Sequence, residues 1–210
     1  MPLNRRHIPN LITLARAAMA AAFFVVLSLF KAPDTGVLWL WIALVLFVAA
    51  AATDALDGWL ARRWKVVSLF GRIMDPLCDK ILVLGGFMVL AGPHFGMAPE
   101  TPPVRLLDAA SGVYTWVVVV LLSRELTVTA IRSVAESQGA EFAAKTAGKV
   151  KMVVQSGCIP IVMFLLAVAP PQTHAWAFWV NHALVWLTVV VTLVSAVPYI
   201  KAIVALERAS

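Results

Sequence analysis

The chain alternates long apolar segments with short connections that hold most of its charged residues, glycines and prolines. A helix that crosses the hydrocarbon core of a bilayer needs about 20 predominantly apolar residues, and each apolar segment is close to that length. The pattern therefore predicts an all-α integral membrane protein, a bundle of six transmembrane helices. The predicted spans are residues 10–30, 37–61, 73–90, 111–132, 150–168 and a last span within 176–206.

The composition agrees with a membrane protein and argues against a soluble one. Of the 210 residues, 61% are hydrophobic and only 13% are charged, whereas soluble domains carry about 25% charged residues. The spans use up the chain, so we predict a single membrane domain over residues 1–210, in which residues 1–9 form a basic cytoplasmic or interfacial arm. With no soluble domain to present a basic surface, we expect no nucleic-acid partner.

The net charge of +6 is concentrated in alternate connections. The positive-inside rule assigns such connections to the cytoplasm, and both termini then lie on the cytoplasmic side, as an even number of spans requires. Attraction to anionic lipid headgroups is the simpler interpretation of most of these charges. The basic positions are Arg5, Arg6, Arg62, Arg63, Lys65, Arg72, Lys80, Arg132, Lys145, Lys149, Lys151, Lys201 and Arg208.

Four of the eleven acidic residues lie where the second span ends and the third begins. A carboxylate at the centre of a membrane helix costs roughly 2.5–3.5 kcal/mol, so a cation is expected nearby. Asp54 and Asp57 share one helix face, and Asp75 and Asp79 share a face of the next helix. Carboxylate oxygens suit magnesium, manganese or calcium. Paired ions can clamp the oxygens of a phosphoryl group, and one aspartate is free to act as a general base.

Small and basic residues accompany these acids. Gly58 and Gly71 remove side chains, so that the backbone can approach a ligand. Ala61 keeps the same face open, and Arg62 offers a fork of donors to a phosphate. In the alternative interpretation, the small residues only pack helices together, and Asp54 caps a helix or pairs with a neighbouring arginine.

Two other features have two interpretations each. Arg16, one helical turn after Thr13, either extends its charged end to the membrane interface or faces the acidic cluster. Gly85 and Gly86 either allow two helices to approach closely or are ordinary spacing within the bundle.

The acids and small residues form the array Asp-x2-Asp-Gly-x2-Ala-Arg-x8-Gly-x3-Asp-x3-Asp. This array resembles the signature of the CDP-alcohol phosphotransferase family, and so does its place between the second and third of six spans. The resemblance implies a six-helix bundle, usually a homodimer, that transfers a phosphate-bearing group from a CDP-linked donor in phospholipid biosynthesis. The matching residues are Asp54, Asp57, Gly58, Ala61, Arg62, Gly71, Asp75 and Asp79.

The resemblance also implies a role for each matched residue. Asp79 would take the proton from the acceptor hydroxyl as the catalytic base. Two divalent ions, Mg²⁺ or Mn²⁺, would be bound by Asp54, Asp57, Asp75 and Asp79. The CDP site would be formed by Asn10, Thr13, Asp54, Asp57, Gly58, Ala61, Arg62, Ser68 and Gly71.

Looser similarities point to members of the family that use glycerol 3-phosphate as the acceptor. They imply transfer of the phosphatidyl group from CDP-diacylglycerol to glycerol 3-phosphate, giving phosphatidylglycerol phosphate and CMP, at the cytoplasmic face of the inner membrane. Cys78 stands where alanine is more usual, a difference that we expect to be neutral. The similar stretches are residues 8–16, 57–63, 75–80, 123–126 and 148–151.

The phosphate of such an acceptor needs cations of its own. Arg124 lies within the fourth span beside Glu125, which is costly unless it faces a polar cavity. Lys145 is more simply interpreted as a solvated loop charge. The candidates for binding the acceptor phosphate are Arg124, Arg132, Lys149 and Lys151.

Two alternatives remain open at this point. The same chemistry with another acceptor would make cardiolipin from phosphatidylglycerol, or would use inositol phosphate or serine. A divalent-cation or proton-coupled transporter is a more remote hypothesis, because acids within a membrane also mark ion pathways. The position of the acids at the inner edge of the spans and the lack of a visible inverted repeat argue against it.

Overall fold

The structure is a computed structural model that describes residues 8–31, 36–64, 69–97, 108–137 and 145–207. Side chains are described throughout these ranges except at residues 8–10, 54–64, 69–73, 136, 145 and 205–207. Residues 1–7 of the predicted arm, and Ser68, lie outside the described residues.

All regular structure in these ranges is helical, and no strand occurs among them. The prediction of an all-α protein is therefore confirmed for this part of the chain. One turn of 3-10 helix lies at Pro93–Phe95. The α-helices are α1 (Ile8–Ser28), α2 (Val37–Trp64), α3 (Leu69–Leu90), α4 (Thr115–Ser137), α5 (Lys145–Val168), α6 (Ala175–Val194) and α7 (Val197–Glu207).

Three segments of the described residues are long and apolar enough to cross a membrane. They are Leu11–Ser28 in α1, Thr146–Val168 in α5 and Ala175–Val204, which runs through α6 into α7. Large apolar side chains are also exposed on the outside of the bundle, as at Trp179, where lipid is a better solvent for them than water. These features are consistent with a membrane protein. The count of six spans and the cytoplasmic position of both ends stay predictions.

Gly85 and Gly86 let α3 lie close against its neighbours. A Cβ on Gly85 would be 2.4 Å from Cζ of Phe24 in α1, and one on Gly86 would be 3.0 Å from Cδ1 of Ile159 in α5. Side chains from two other helices thus occupy the space that these glycines leave. Close helix approach, rather than ordinary spacing, is the interpretation that the structure supports.

A continuous apolar core fixes the positions of α1 to α5 relative to one another. Because large side chains from several helices interlock there, α1 and α3 are held at a fixed position relative to each other. Among the fully buried core residues are Phe23, Phe47, Phe87, Leu121 and Ile159.

The fourth helix begins at Thr115, later than predicted, because the preceding turn is fixed by its own contacts. Gly112 has a φ of +71°, in the left-handed region that favours glycine. A Cβ there would lie 3.0 Å from the backbone carbon of Asn181. Ser111 Oγ donates to the carbonyl of Leu90 at 2.8 Å. The predicted helix start at residue 111 is therefore wrong.

Helices reach further into the predicted cytoplasmic connections than the hydrophobic pattern indicates. The third helix begins at Leu69, four residues before the predicted start of the third span, so Gly71 lies inside it. The polar connection predicted at 133–149 is shortened at both ends, to Ser137 and Lys145. Most residues at these ends favour a helix, and a polar residue ends a membrane span without ending the helix.

The last predicted span consists of two helices, separated by a turn at Ser195–Ala196. Pro198, in the first turn of α7, has no N–H group. The carbonyl of Val194 therefore cannot receive the hydrogen bond that would continue α6 through the turn. The break exposes backbone and side-chain acceptors of Ser195 inside the bundle.

Candidate active site

The first half of α3 carries Asp75 and Asp79 one turn apart, and α1 supplies a partner to each. Thr13 Oγ1 donates to Asp75 Oδ1 at 2.9 Å. Arg16 Nη1 donates to Asp79 Oδ1 at 3.3 Å. Since Thr13 and Arg16 share a face of α1, the two helices place a hydroxyl opposite the first acid and a guanidinium opposite the second.

The position of Arg16 decides between its two interpretations. Its side chain is 0% exposed, while that of Asp79 is 23% exposed. A buried guanidinium is tolerated when a carboxylate compensates its charge, and removal of one partner of such a pair is strongly destabilising. Arg16 therefore faces the acids rather than the membrane interface.

Apart from Ser68, the other residues of the predicted metal and CDP sites lie on described helices, but their side chains are outside the described residues. The convergence of all four acids, and every role in CDP binding, stay predictions. Asn10 is in the first turn of α1, Gly71 is in α3, and the second half of α2 carries Asp54, Asp57, Gly58, Ala61 and Arg62.

A cavity of about 390 Å³ opens beside Asp79, with walls from α3, α4, α5 and α7. Five of its lining residues are basic and two are acidic, a formal charge of +3. The four predicted candidates for binding the acceptor phosphate thus surround one cavity, together with the predicted base. The charged lining residues are Asp79, Lys80, Arg124, Glu125, Arg132, Lys149 and Lys151.

Arg124 is only 7% exposed and is held on several sides. Its Nη2 donates to Ser195 Oγ at 2.7 Å and to the Ser195 carbonyl at 3.2 Å. Its Nη1 donates to Glu125 Oε1 at 3.1 Å, and its Cζ lies 5.9 Å from the centre of the Tyr199 ring. Its Nε has no hydrogen-bond partner among the described residues. The guanidinium is therefore fixed in place by contacts on both of its terminal nitrogens.

Glu125 links the two most buried cations of the cavity. Lys151 Nζ, on α5, donates to the same Oε1 atom that accepts from Arg124. One carboxylate thus lies between two cations from different helices. The cluster keeps an excess of positive charge, which an anionic ligand can compensate.

Comparisons of the sequence with known proteins identify the family of this chain. Residues 6–194 match the sequence model of a family described as CDP-alcohol phosphatidyltransferase. The chain belongs to the CDP-alcohol phosphatidyltransferase family. The membership predicted from the signature is confirmed, and the chain is an enzyme of a transferase family.

Several relatives of the family carry the name CDP-diacylglycerol–glycerol-3-phosphate 3-phosphatidyltransferase. The one from Bacillus subtilis strain 168 is 31% identical over 200 residues, which cover 92% of this chain and 93% of the relative. The one from Escherichia coli K12 is 31% identical over 199 residues, covering 93% of this chain and 94% of the relative. A third, from Cereibacter sphaeroides, is 40% identical over 92 residues, covering 44% of this chain and 39% of the relative.

The family generally uses divalent metals, and the donors described at this site suit them. Asp75 and Asp79 present carboxylate oxygens on one face of α3, the hard ligands that Mg²⁺ and Mn²⁺ prefer. Where side chains are described, no group of three or more His, Cys, Asp or Glu side chains gathers at one point. The side chains of Asp54 and Asp57 are not among those that the structure describes.

Lys80, Glu125, Ser195 and Tyr199 are among the residues of the cavity and its support that were not predicted as site residues. Lys80, whose Nζ donates to Thr129 Oγ1 at 2.9 Å, directly follows Asp79. Glu125 directly follows Arg124, so adjacency to a predicted residue was a usable signal for both. Ser195 and Tyr199 lie in the last predicted span, and no pattern in the sequence distinguishes them from their neighbours.

Proposed function

We propose that this chain transfers the phosphatidyl group of CDP-diacylglycerol to sn-glycerol 3-phosphate, giving phosphatidylglycerol phosphate and CMP. The observation that carries the proposal is the cavity that brings Asp79 and five basic side chains around one space. The names of the Bacillus subtilis and Escherichia coli relatives support the same reaction, because each match covers more than nine-tenths of both chains.

The charges of the cavity favour an acceptor that carries both a hydroxyl and a phosphate. The phosphate of glycerol 3-phosphate brings about two negative charges at neutral pH, and the lining has a formal charge of +3. Arg124 and Lys151 bind the phosphate in this proposal, with Arg132 and Lys149 at the more open side. Serine, which has no phosphate, would leave these cations uncompensated, so a phosphorylated acceptor fits better.

The proposed chemical step uses Asp79 as the general base. The acceptor oxygen attacks the phosphorus that bears diacylglycerol, and its proton passes to the Asp79 carboxylate. A new phosphorus–oxygen bond forms, the bond from that phosphorus to the bridging oxygen of the diphosphate breaks, and CMP leaves with the electron pair. Arg16 holds the carboxylate in one orientation from the buried side. Correct positioning of this kind supplies much of the rate enhancement in such reactions.

The nucleotide side of the site belongs to α1, α2 and α3 in this proposal. Two divalent ions, Mg²⁺ or Mn²⁺, held by Asp54, Asp57, Asp75 and Asp79, would neutralise the diphosphate and the charge that develops on its oxygens. Thr13 orients Asp75 through their hydrogen bond. The CDP group contacts Asn10, Thr13, Asp54, Asp57, Gly58, Ala61, Arg62, Ser68 and Gly71.

We propose that the site faces the cytoplasm from a six-span bundle in the inner membrane, and that the enzyme acts as a homodimer. The concentration of basic side chains around the cavity supports this orientation, since positively charged ends of spans stay on the cytoplasmic side. A cytoplasmic opening also gives the site access to a water-soluble acceptor.

The decisive experiment measures CMP release from CDP-diacylglycerol by the purified chain, with each acceptor supplied in turn. We expect release with glycerol 3-phosphate, and little with phosphatidylglycerol, inositol phosphate or serine. Release with another acceptor and none with glycerol 3-phosphate would overturn the assignment of the acceptor. The Asp79→Asn variant serves as the negative control, because an amide cannot accept the proton.

A further inference from the structure

Ser195 connects the turn between α6 and α7 to the cavity. The residue is 4% exposed, and its Oγ donates to the carbonyl of Thr192 at 2.7 Å. Because the hydroxyl proton is committed to that carbonyl, the lone pairs of Oγ are left to accept. They accept from Arg124 Nη2 at 2.7 Å, and the Ser195 carbonyl accepts from the same nitrogen at 3.2 Å.

These contacts restrict the orientation of the Arg124 guanidinium. A long side chain loses many rotamers when it is fixed, so an arginine that must meet a phosphate benefits from supports that hold it in advance. Ser195 holds Nη2, and Glu125 holds Nη1. The plane of the guanidinium is therefore set by contacts on both of its terminal nitrogens.

We propose that Ser195 is a positioning residue for the acceptor substrate, acting through Arg124 on the phosphate group. The inference rests on the proposed function, because it assumes that a phosphorylated acceptor occupies this cavity. It adds the turn between α6 and α7 to the site, because the break leaves the Ser195 carbonyl free of a helical hydrogen bond and able to accept from Arg124.

A purely structural role for Ser195 makes a different prediction. The bond from Oγ to the Thr192 carbonyl also satisfies the end of α6. If this were its whole purpose, loss of the hydroxyl would weaken the fold and affect both substrates alike. If Ser195 acts through Arg124, loss of the hydroxyl raises the KM for the acceptor and leaves the KM for CDP-diacylglycerol unchanged.

The first test compares Ser195→Ala with Ser195→Thr in the full-length chain. We expect Ser195→Ala to raise the KM for glycerol 3-phosphate about tenfold, the loss of one hydrogen bond to a charged group. The KM for CDP-diacylglycerol stays within about twofold. Ser195→Thr keeps the hydroxyl and restores the KM for glycerol 3-phosphate. Thr188→Val is the matched control, since this buried hydroxyl of α6 donates to the Leu184 carbonyl and does not line the cavity.

The second test is a double-mutant cycle with Arg124. In an Arg124→Ala background, Ser195→Ala should leave the KM for glycerol 3-phosphate unchanged, because the group through which Ser195 acts is gone. A tenfold rise in that background as well would overturn the proposal. If Arg124→Ala does not accumulate as folded protein, Arg124→Lys takes its place, with the same expected loss of coupling.

The acceptor assay on the unaltered chain separates failure of this inference from failure of the proposed function. If the unaltered chain uses glycerol 3-phosphate and Ser195→Ala has no selective effect on its KM, the inference is wrong and the proposed function stands. If it uses inositol phosphate instead, the assigned acceptor is wrong, and a selective rise in the KM for inositol phosphate supports the positioning role. If it uses only serine, both are wrong.

Discussion

The site has two walls whose residues are distributed very differently along the chain. The acidic wall consists of Asp75 and Asp79 on α3 with their partners Thr13 and Arg16 on α1. The basic wall consists of the cations that surround the cavity, together with Glu125, and draws on α3, α4 and α5 with support from the turn before α7. One turn of a single helix is enough to pair the acids, whereas only the packed bundle brings the cations together. The members of the basic wall are Lys80, Arg124, Glu125, Arg132, Lys149 and Lys151.

The two walls also differ in how their charges are compensated. In the acidic wall each described carboxylate has a donor from α1, and the remaining compensation is assigned to metal ions. In the basic wall, five cations share the cavity with Glu125 and with Asp79 of the other wall. In the proposed function, one wall suits a diphosphate bound through metal ions, and the other suits a phosphate bound directly. Variants in the two walls should therefore affect different substrates.

The largest effect is expected from Asp79→Asn, at the junction of the two walls. The amide cannot accept the proton of the acceptor hydroxyl, and loss of a general base typically costs 10²–10⁴-fold, so we expect turnover to fall about a thousandfold. Metal binding should be largely retained through the other carboxylates. CMP release and calorimetric metal titration measure the two properties. Asp108→Asn, outside the site, is the control; a normal rate in Asp79→Asn would refute the role as base.

Arg124→Ala tests the basic wall. The variant removes a charged donor from the acceptor phosphate and leaves Glu125 with Lys151 alone, so the KM for glycerol 3-phosphate should rise about 50-fold. The KM for CDP-diacylglycerol should change much less. Steady-state kinetics with each substrate varied in turn measure this difference. Lys201→Ala, an exposed cation of α7 that does not line the cavity, is the control. Equal effects on both substrates would mean that Arg124 is structural.

Thr13→Val is the corresponding test in the acidic wall. The substitution preserves shape and removes the hydrogen bond to Asp75, worth about 1 kcal/mol, so kcat/KM for CDP-diacylglycerol should fall about fivefold. The KM for glycerol 3-phosphate should stay unchanged. The same kinetics measure both, with Thr173→Val, an exposed hydroxyl after α5, as the control. A selective change in the acceptor KM would contradict the division between the walls.

The smallest effect is expected from Lys149→Met, and it sharpens the distinction between buried and exposed cations. Lys149 is exposed, so salt screens its attraction to a phosphate. We expect the KM for glycerol 3-phosphate to rise about twofold to threefold at low ionic strength, and the difference from the unaltered chain to disappear at about 1 M salt. An effect that persists at high salt would place Lys149 among the direct ligands, with Arg124.

The acidic wall was largely predictable from the sequence because its acids lie close together along the chain, at helical spacing. The signature from residue 54 to residue 79 depends on spacing along two helices, and helix geometry alone puts Asp75 and Asp79 on one face. Thr13 and the four basic candidates, which were named from the sequence, lie beside Asp75 and around the cavity, and their roles stay predictions. The orientation of Arg16 was not predictable, because an arginine near the end of a span reaches the interface or the interior equally well.

The basic wall shows where prediction from the sequence stops. The pairing of Glu125 with Lys151, and the support that Ser195 gives to Arg124, join residues that are far apart in the chain. The boundaries of the helices were also imprecise, as at Gly71 and Thr115. A hydrophobic pattern marks where the membrane medium begins and ends, while a helix ends where its hydrogen bonds are interrupted.

By itself, the amino-acid sequence determined that this protein is helical, apolar over most of its length and a member of the CDP-alcohol phosphatidyltransferase family. These properties follow from periodicity, composition and a motif contained within neighbouring turns of helix. Only the tertiary structure decided that Arg16 faces Asp79, that α6 breaks at Ser195, and that cations from several helices surround one cavity. Those facts depend on how side chains from distant helices fill space and compensate charge, and no local pattern records that.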